Sequence, residues 1–142
     1  MKRVKDILQV KGRHIWSVEP GASVYDAMKL MADKGVGALM VMEETKLVGV
    51  ISERDYARKV ILRGRASRTT QVKEIMTTHV LYANPEQNIE ECMALMTDKR
   101  VRHLPVMDED RLVGVISIGD LVKSIIAEQK FIIQQLERYM SG

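Results

Sequence analysis

The hydrophobic positions of this chain change period several times, and each change marks an element. Val24, Ala27, Met28, Met31 and Ala32 recur at helical spacing and predict a helix from Ser23 to about Lys34 with one apolar face. Ser23 with Asp26 three residues on resembles a capping box, and Gly35 is a natural stop. The pattern then becomes two short continuous runs, 38–42 and 47–51, around a polar turn at 43–46, which predicts two strands. Ahead of these, residues 4–8 read as a short helical lead-in, 9–13 as a loop and 15–18 as a strand that ends at the Pro20-Gly21 turn. From Glu53 the pattern turns helical again.

The same order then returns. Leu47-Val48-Gly49-Val50-Ile51-Ser52-Glu53-Arg54-Asp55 is echoed by Leu112-Val113-Gly114-Val115-Ile116-Ser117-Ile118-Gly119-Asp120. Positions 14–56 against 79–121 give 19 identities in 43 without a gap. An apolar segment does not keep register that long by chance, so the chain is an internal repeat. Asn88 with Glu91 caps the second helix, whose apolar face is Ile89, Cys92, Met93 and Met96; strands follow at 103–107 and 112–116, then a long helix from about Ile118. The lead-in 4–8 has its echo at 72–76, three residues out of step with the rest. Each arm reads as β-α-β-β-α, an α+β layer, and two such arms related by a pseudo-twofold would pack sheet to sheet. The division expected is 1–67 for the first repeat with its lead-in and a basic linker, and 68–142 for the second with the C-terminal helix. A single arm would be marginal alone, and two together are not.

The tail continues a helical stripe past the need of one arm: Val122, Ile125, Ile126, Ile132, Ile133, Leu136, Tyr139 and Met140, interrupted at Gln129. It either docks on its own domain or packs on a second chain.

Composition narrows the class. With 46% hydrophobic and 29% charged residues among 142, the chain is a folded one rather than a disordered one. The single cysteine, Cys92, excludes a disulfide framework and a multi-cysteine zinc site, and its place on an apolar helix face makes it a core residue. No apolar run approaches the roughly 20 residues of a membrane span. The N-terminus has basic residues but no apolar stretch behind them, so no signal peptide is expected and the cytoplasm is the default compartment. The net charge of +3 is local: between Tyr56 and Lys73 lie six basic residues and no acidic one. That stripe points to one anionic partner at one place.

Chemistry concentrates in the repeated Ser-x-x-Asp. One reading is structural: serine as N-cap and aspartate at the third helical position, both serving the free N–H groups of a helix start. The other uses the same geometry for a ligand. A strand delivers Ser52 or Ser117 to a helix N-terminus where N–H groups and a hydroxyl can meet a phosphate, and the acceptor-only carboxylates of Asp55 and Asp120 suit the two hydroxyls of a ribose. Arg54 and Arg58 lie four apart on one helix face, either as a solvated face with an Asp55–Arg58 pair or as phosphate contacts. In the second arm Arg102 and His103 open a strand where the first has Gly37 and Ala38. Repeats diverge where their sites diverge, so one site is expected to use side-chain phosphate contacts and its twin backbone and space. The three histidines have no metal-ligand spacing, and no phosphate-binding loop, dinucleotide fingerprint or nucleophile elbow is present. No recognition helix, zinc finger or aromatic platform supports nucleic-acid binding.

With both copies ending in Gly-Val-Ile-Ser-x-x-Asp, and Arg102-His103-Leu104-Pro105-Val106 ahead of the second, the chain resembles the tandem cystathionine β-synthase (CBS) domain pair, or Bateman module, of the short stand-alone type, over about residues 4–127. The resemblance implies adenine nucleotides, AMP, ADP, ATP or NAD(H), in two clefts between the arms. It implies that a ribose on Asp55 has its base near His79, Val80 and Leu81 and its phosphate near Arg102 and His103. A ribose on Asp120 would have its base near Lys11, Ile15 and Trp16 and its phosphate near Gly37, Ala38 and Ser117. It also implies a homodimer. The expected function is therefore a non-enzymatic nucleotide sensor that signals by a change of conformation to a regulated protein. The competing reading is an interaction module acting through its tail helix.

Overall fold

The computed structural model describes residues 2–141. The elements are α1 (Val4–Lys11), β1 (Ser17–Val18), α2 (Val24–Lys34), β2 (Ala38–Glu43), β3 (Lys46–Ser52), α3 (Glu53–Lys59), α4 (Ile89–Lys99), β4 (His103–Asp108), β5 (Arg111–Ser117) and α5 (Ile118–Ser141). Single turns of 3-10 helix cover Ile61–Arg63 and Val72–Glu74. The class is α+β, as the periodicity predicts.

The helices begin and end where their caps require. The Asp26 N–H donates to Ser23 Oγ at 3.0 Å and the Glu91 N–H to Asn88 Oδ1 at 2.7 Å. Gly35 closes α2 in the left-handed region at φ 66°. Its counterpart Arg100 closes α4 at φ 56°, a conformation that a side chain makes less favourable by about 1–2 kcal/mol. In both halves an antiparallel hairpin carries a register shift at the same place, Val41/Met42 and Val106/Met107. β1 runs parallel to β2, with Ser17 opposite Met40 and Val18 opposite Val41. Two expectations are corrected. The loop expected at 9–13 starts later, because α1 keeps its turns to Lys11. The first strand is two residues long in the first repeat and a single bridge, Ala83 to Val106, in the second.

The chain divides into two units, His14–Leu81 and Met1–Arg13 with Tyr82–Gly142. In this spatial division each lead-in goes with the repeat it does not precede. The Val4 and Lys5 N–H groups donate to Gln87 O (2.9 Å) and Pro85 O (3.0 Å), and the Ile89 N–H donates to Lys2 O (3.2 Å). In the other unit the Val72 and Lys73 N–H groups donate to Ala22 O (2.8 Å) and Pro20 O (2.9 Å), and the Val24 N–H donates to Thr70 O (2.8 Å). The two sets match residue for residue. Each lead-in thus adds three backbone bonds at helix starts, where N–H groups otherwise lack partners.

The cores match as well. One unit buries Val24, Ala27, Met31, Leu39, Val41 and Ile51 with Val72 and Ile75 of its lead-in. The other buries Ile89, Cys92, Met96, Leu104, Val106 and Ile116 with Val4, Ile7 and Leu8. The repeated glycine explains itself here. A Cβ on Gly114 would stand 2.7 Å from Leu8 Cδ2. A Cβ on Gly49 would stand 2.7 Å from Met76 Sδ and 3.0 Å from the Thr77 carbonyl oxygen. Each Leu-Val-Gly-Val strand therefore carries its glycine where the lead-in crosses it. Gly49→Ala is expected to destabilise by about 1–3 kcal/mol, more than Gly114→Ala, because a backbone oxygen yields less than a leucine side chain. Urea unfolding of the two variants checks the order.

Candidate functional site

The two Ser-x-x-Asp turns sit at strand-to-helix junctions, β3 into α3 and β5 into α5. In the first, the Asp55 N–H donates to Ser52 Oγ (3.2 Å), while the Ser52 N–H and hydroxyl donate to Asp55 Oδ2 (3.0 and 3.1 Å). In the second, the Asp120 N–H donates to Ser117 Oγ (3.2 Å) and the Ser117 N–H to Asp120 Oδ2 (2.8 Å). Both are capping boxes. The carboxylates are well covered, with side chains 13% exposed at Asp55 and 19% at Asp120.

Each turn is also tied to the strand beside it. The Glu53 N–H donates to Gly37 O (3.1 Å) and the Ile118 N–H to Arg102 O (2.9 Å). Gly37 and Ala38 therefore lie beside Ser52 and Asp55, and Arg102 and His103 beside Ser117 and Asp120. Ala38 pairs with Ser52 and His103 with Ser117 in the hairpin register. The crossed arrangement that the resemblance implies, Asp55 with Arg102 and His103, or Asp120 with Gly37 and Ala38, joins residues of different units. His79, Val80 and Leu81 belong to the unit of Asp55, just after Thr77, whose backbone exchanges two hydrogen bonds with Val50 (2.9 and 3.0 Å). Ile15 and Trp16 precede β1 in that same unit. The Trp16 ring stacks on His14 (centroids 5.6 Å apart, planes at 9°) and carries the Lys34 ammonium 4.5 Å from its centroid.

Both carboxylates hold a lysine. Lys59 Nζ lies 3.2 Å from Asp55 Oδ1 and donates to Ile75 O at 2.9 Å. The i,i+4 partner of Asp55 is thus Lys59, and no Arg58 contact accompanies it. Lys11 Nζ donates to Asp120 Oδ2 at 2.5 Å and to Val115 O at 2.8 Å. Lys11, expected near a base, is therefore bound to the second carboxylate in its own unit. The Lys59 pair was open to sequence reasoning through its i,i+4 spacing. The Lys11 pair spans 109 residues and had no sequence signal.

Burial by itself would raise the Asp120 carboxyl. The hydrogen bond from Lys11, the Ser117 N–H and the Lys11 charge outweigh it and hold the group below the ordinary aspartate range. Cys92 is driven the other way: burial, then the Glu91 charge, push its thiol up, in keeping with an inert core residue. Among the described residues no cluster of His, Cys, Asp or Glu is placed to hold a metal ion.

The basic stripe is partly spent inside its own unit. Besides Lys59, Arg65 Nη2 meets Glu74 Oε1 at 2.5 Å, and the Arg68 guanidinium lies 3.9 Å from the centroid of the Tyr25 ring. The tail of α5 is the opposite case. Leu121 is buried, whereas Ile132, Ile133 and Leu136 are each more than half exposed and Tyr139 and Met140 more than four-fifths. Within its own unit the tail stripe beyond residue 128 is not docked.

Because Asp120 is easier to ionise folded than unfolded, its pair with Lys11 stabilises the protein above the unfolded aspartate value, about pH 4. That contribution is lost as the pH falls through the lower folded value. Lys11→Met is therefore expected to cost about 1–2 kcal/mol at pH 7 and to converge on the parent as the pH falls through the lowered folded value of Asp120. Denaturant midpoints across that range measure it.

The chain matches the CBS domain family twice, over residues 4–62 and 72–127. The CBS domain-containing protein CBSX3, mitochondrial, of Arabidopsis thaliana is 38% identical over 149 aligned positions, covering 98% of this chain and 72% of that protein. A solved protein with CBS domains from Burkholderia ambifaria MC40-6 is 54% identical, with TM-score 0.87, covering 90% of this chain and 96% of that one. The CBS domain pair of protein MJ0100, solved with 5'-methylthioadenosine and S-adenosyl-L-methionine, is 25% identical, with TM-score 0.80, covering 90% and 98%. The two matched stretches are the two repeats, each with its strand-borne Ser-x-x-Asp turn, and the chain belongs to the CBS domain family as a tandem pair.

Proposed function

We propose that this CBS pair is a non-enzymatic regulatory module that binds adenine nucleotides, AMP, ADP, ATP or NAD(H), between its repeats and passes their presence to a regulated protein. The observation that carries the reading is the repeated, well-covered carboxylate at a strand-to-helix junction. It is an acceptor-only group at a place where a ribose can offer two hydroxyls. The adenosine ligands held by the MJ0100 pair support the same ligand class. In this reading Asp55 and Asp120 take the riboses. Ser52, Ser117, Arg54, Arg58, Arg102 and His103, with the backbone at Gly37 and Ala38, serve the phosphates. His79, Val80 and Leu81 flank one base, and Lys11, Ile15 and Trp16 the other. The ligand can alter the conformation only by as much as it binds two arrangements differently. No helix among the described residues is long and apolar enough to cross a membrane, and the proposed compartment is the cytoplasm.

A second reading has its own observation, the exposed apolar stripe of α5. In that reading the module works as a homodimer or an interaction element through Ile132, Leu136 and Tyr139, whether or not nucleotides bind.

Calorimetry with AMP, ATP and NADH tests the first reading. Asp55→Ala and Asp120→Ala should each weaken one binding event about 10- to 100-fold, the worth of a charged hydrogen bond. Trp16, the sole tryptophan, should report the Asp120 event by fluorescence. Unchanged affinity in both variants would sink the site assignment. For the second reading, light scattering of an Ile132→Ser, Leu136→Ser double variant should show a lower mass than the parent; equal masses count against it.

A further inference from the structure

The two carboxylates are equivalent by repeat, yet the cations that hold them are not. Lys59 comes from the same helix, four residues after Asp55; four residues after Asp120 stands Ser124. Asp120 instead receives Lys11 from the last turn of α1. Each ammonium also donates to a backbone carbonyl, Ile75 O or Val115 O, so neither is a loosely held surface charge. The carboxylates differ too. Asp55 uses both oxygens, Oδ2 for the cap and Oδ1 for Lys59. Asp120 gathers both the cap and Lys11 on Oδ2.

We propose that Lys11 and Lys59 set the affinity of the two carboxylates for a ribose by competing with its hydroxyls, and that only the Asp120 exchange loosens the N-terminal helix. The inference rests on the proposed ribose role of Asp55 and Asp120. A diol that grips a carboxylate with one O–H on each oxygen needs a lone pair on both; Oδ2 of Asp120 already accepts the Ser117 N–H and Lys11, and Oδ1 of Asp55 meets Lys59, so one hydroxyl and the lysine contend for the same oxygen. At Asp55 the displaced lysine belongs to α3, and its release changes nothing beyond that short helix and the carbonyl of Ile75. At Asp120 the displaced lysine is the end of α1, a helix held in its unit by Val4, Ile7 and Leu8 and by backbone bonds to Pro85 and Gln87. Losing Lys11 removes the polar tie at its C-terminal end, next to the Gly12 N–H to Leu8 O bond that closes it (2.8 Å). One repeat would thus report its ligand through a mobile element and the other would not.

Adenosine is the probe, because it carries the diol without a phosphate that a lysine would attract. In an Asp55→Ala background, which leaves the Asp120 site, Lys11→Met should bind adenosine about two- to fivefold more tightly, the worth of one partly exposed ion pair. Lys11→Gln, which can still donate to Val115 O, should do the same if Lys11→Met proves unstable. Lys59→Met in an Asp120→Ala background should also tighten binding. Hydrogen exchange on the parent should show the α1 amides, Gly12 above all, exchanging faster with adenosine bound. Asp120→Asn should speed them without any ligand, and Lys59→Met should not. Weaker or unchanged adenosine binding in both Lys11 variants overturns the competition. Binding without a change in α1, or an Asp120→Asn variant with α1 as slow as the parent, overturns the lever. Should the parent bind neither adenosine nor any nucleotide, the ribose reading itself fails, recognised by the absence of heat rather than by the sign of a variant's effect.

Discussion

Each lead-in closes the core of the unit it docks on, and that docking is the constraint on which the rest depends. Val4, Ile7 and Leu8 complete one apolar cluster, and Val72 and Ile75 complete the other. Backbone N–H groups of Val4, Lys5, Val72 and Lys73 find carbonyls in the turn before a helix, so the lead-in contributes hydrogen bonds as well as apolar area. The strand beneath has to be flat at one point for the lead-in to pass, which is why both copies keep a glycine there. A 60-residue arm has too little interior to stand without such a contribution.

The carboxylates follow from this. A capping box fixes the orientation of Asp55 and Asp120 whether or not a ligand is present, because the serine N–H and the aspartate N–H are satisfied reciprocally. Burial then makes each negative charge costly, and each repeat offsets that cost with a lysine. Where the helix itself supplies one, at Lys59, the neutralisation is local. Where it does not, the docked α1 supplies Lys11. The same two bonds are thus cap and candidate binding feature at once; the structural and functional readings of Ser-x-x-Asp describe one geometry.

The charged stripe between the repeats divides on close inspection. Lys59, Arg65 and Arg68 have internal partners, Asp55, Glu74 and the face of Tyr25. What looked like a uniform basic patch is in part the internal bonding of one unit. The apolar stripe of α5 goes the other way: helical period alone left open whether it docks at home, and from Ile132 to Met140 every large apolar side chain of it is more than half exposed.

What the chain order alone determined is everything carried by local period and local chemistry. The helices from Val24 and Ile89, the two hairpins, the serine caps and the place of Cys92 in a core all depend on residues within a few positions of one another. Repetition added the fold class, since 65 residues separate like from like. Tertiary structure decided the rest. It sent each lead-in to the repeat it does not precede, cut the first strand of the second repeat to one bridge, and brought Lys11 to Asp120. Those outcomes depend on which surfaces meet across roughly 20 to 110 residues of chain. A linear pattern records that an apolar face exists, but not which other face will cover it.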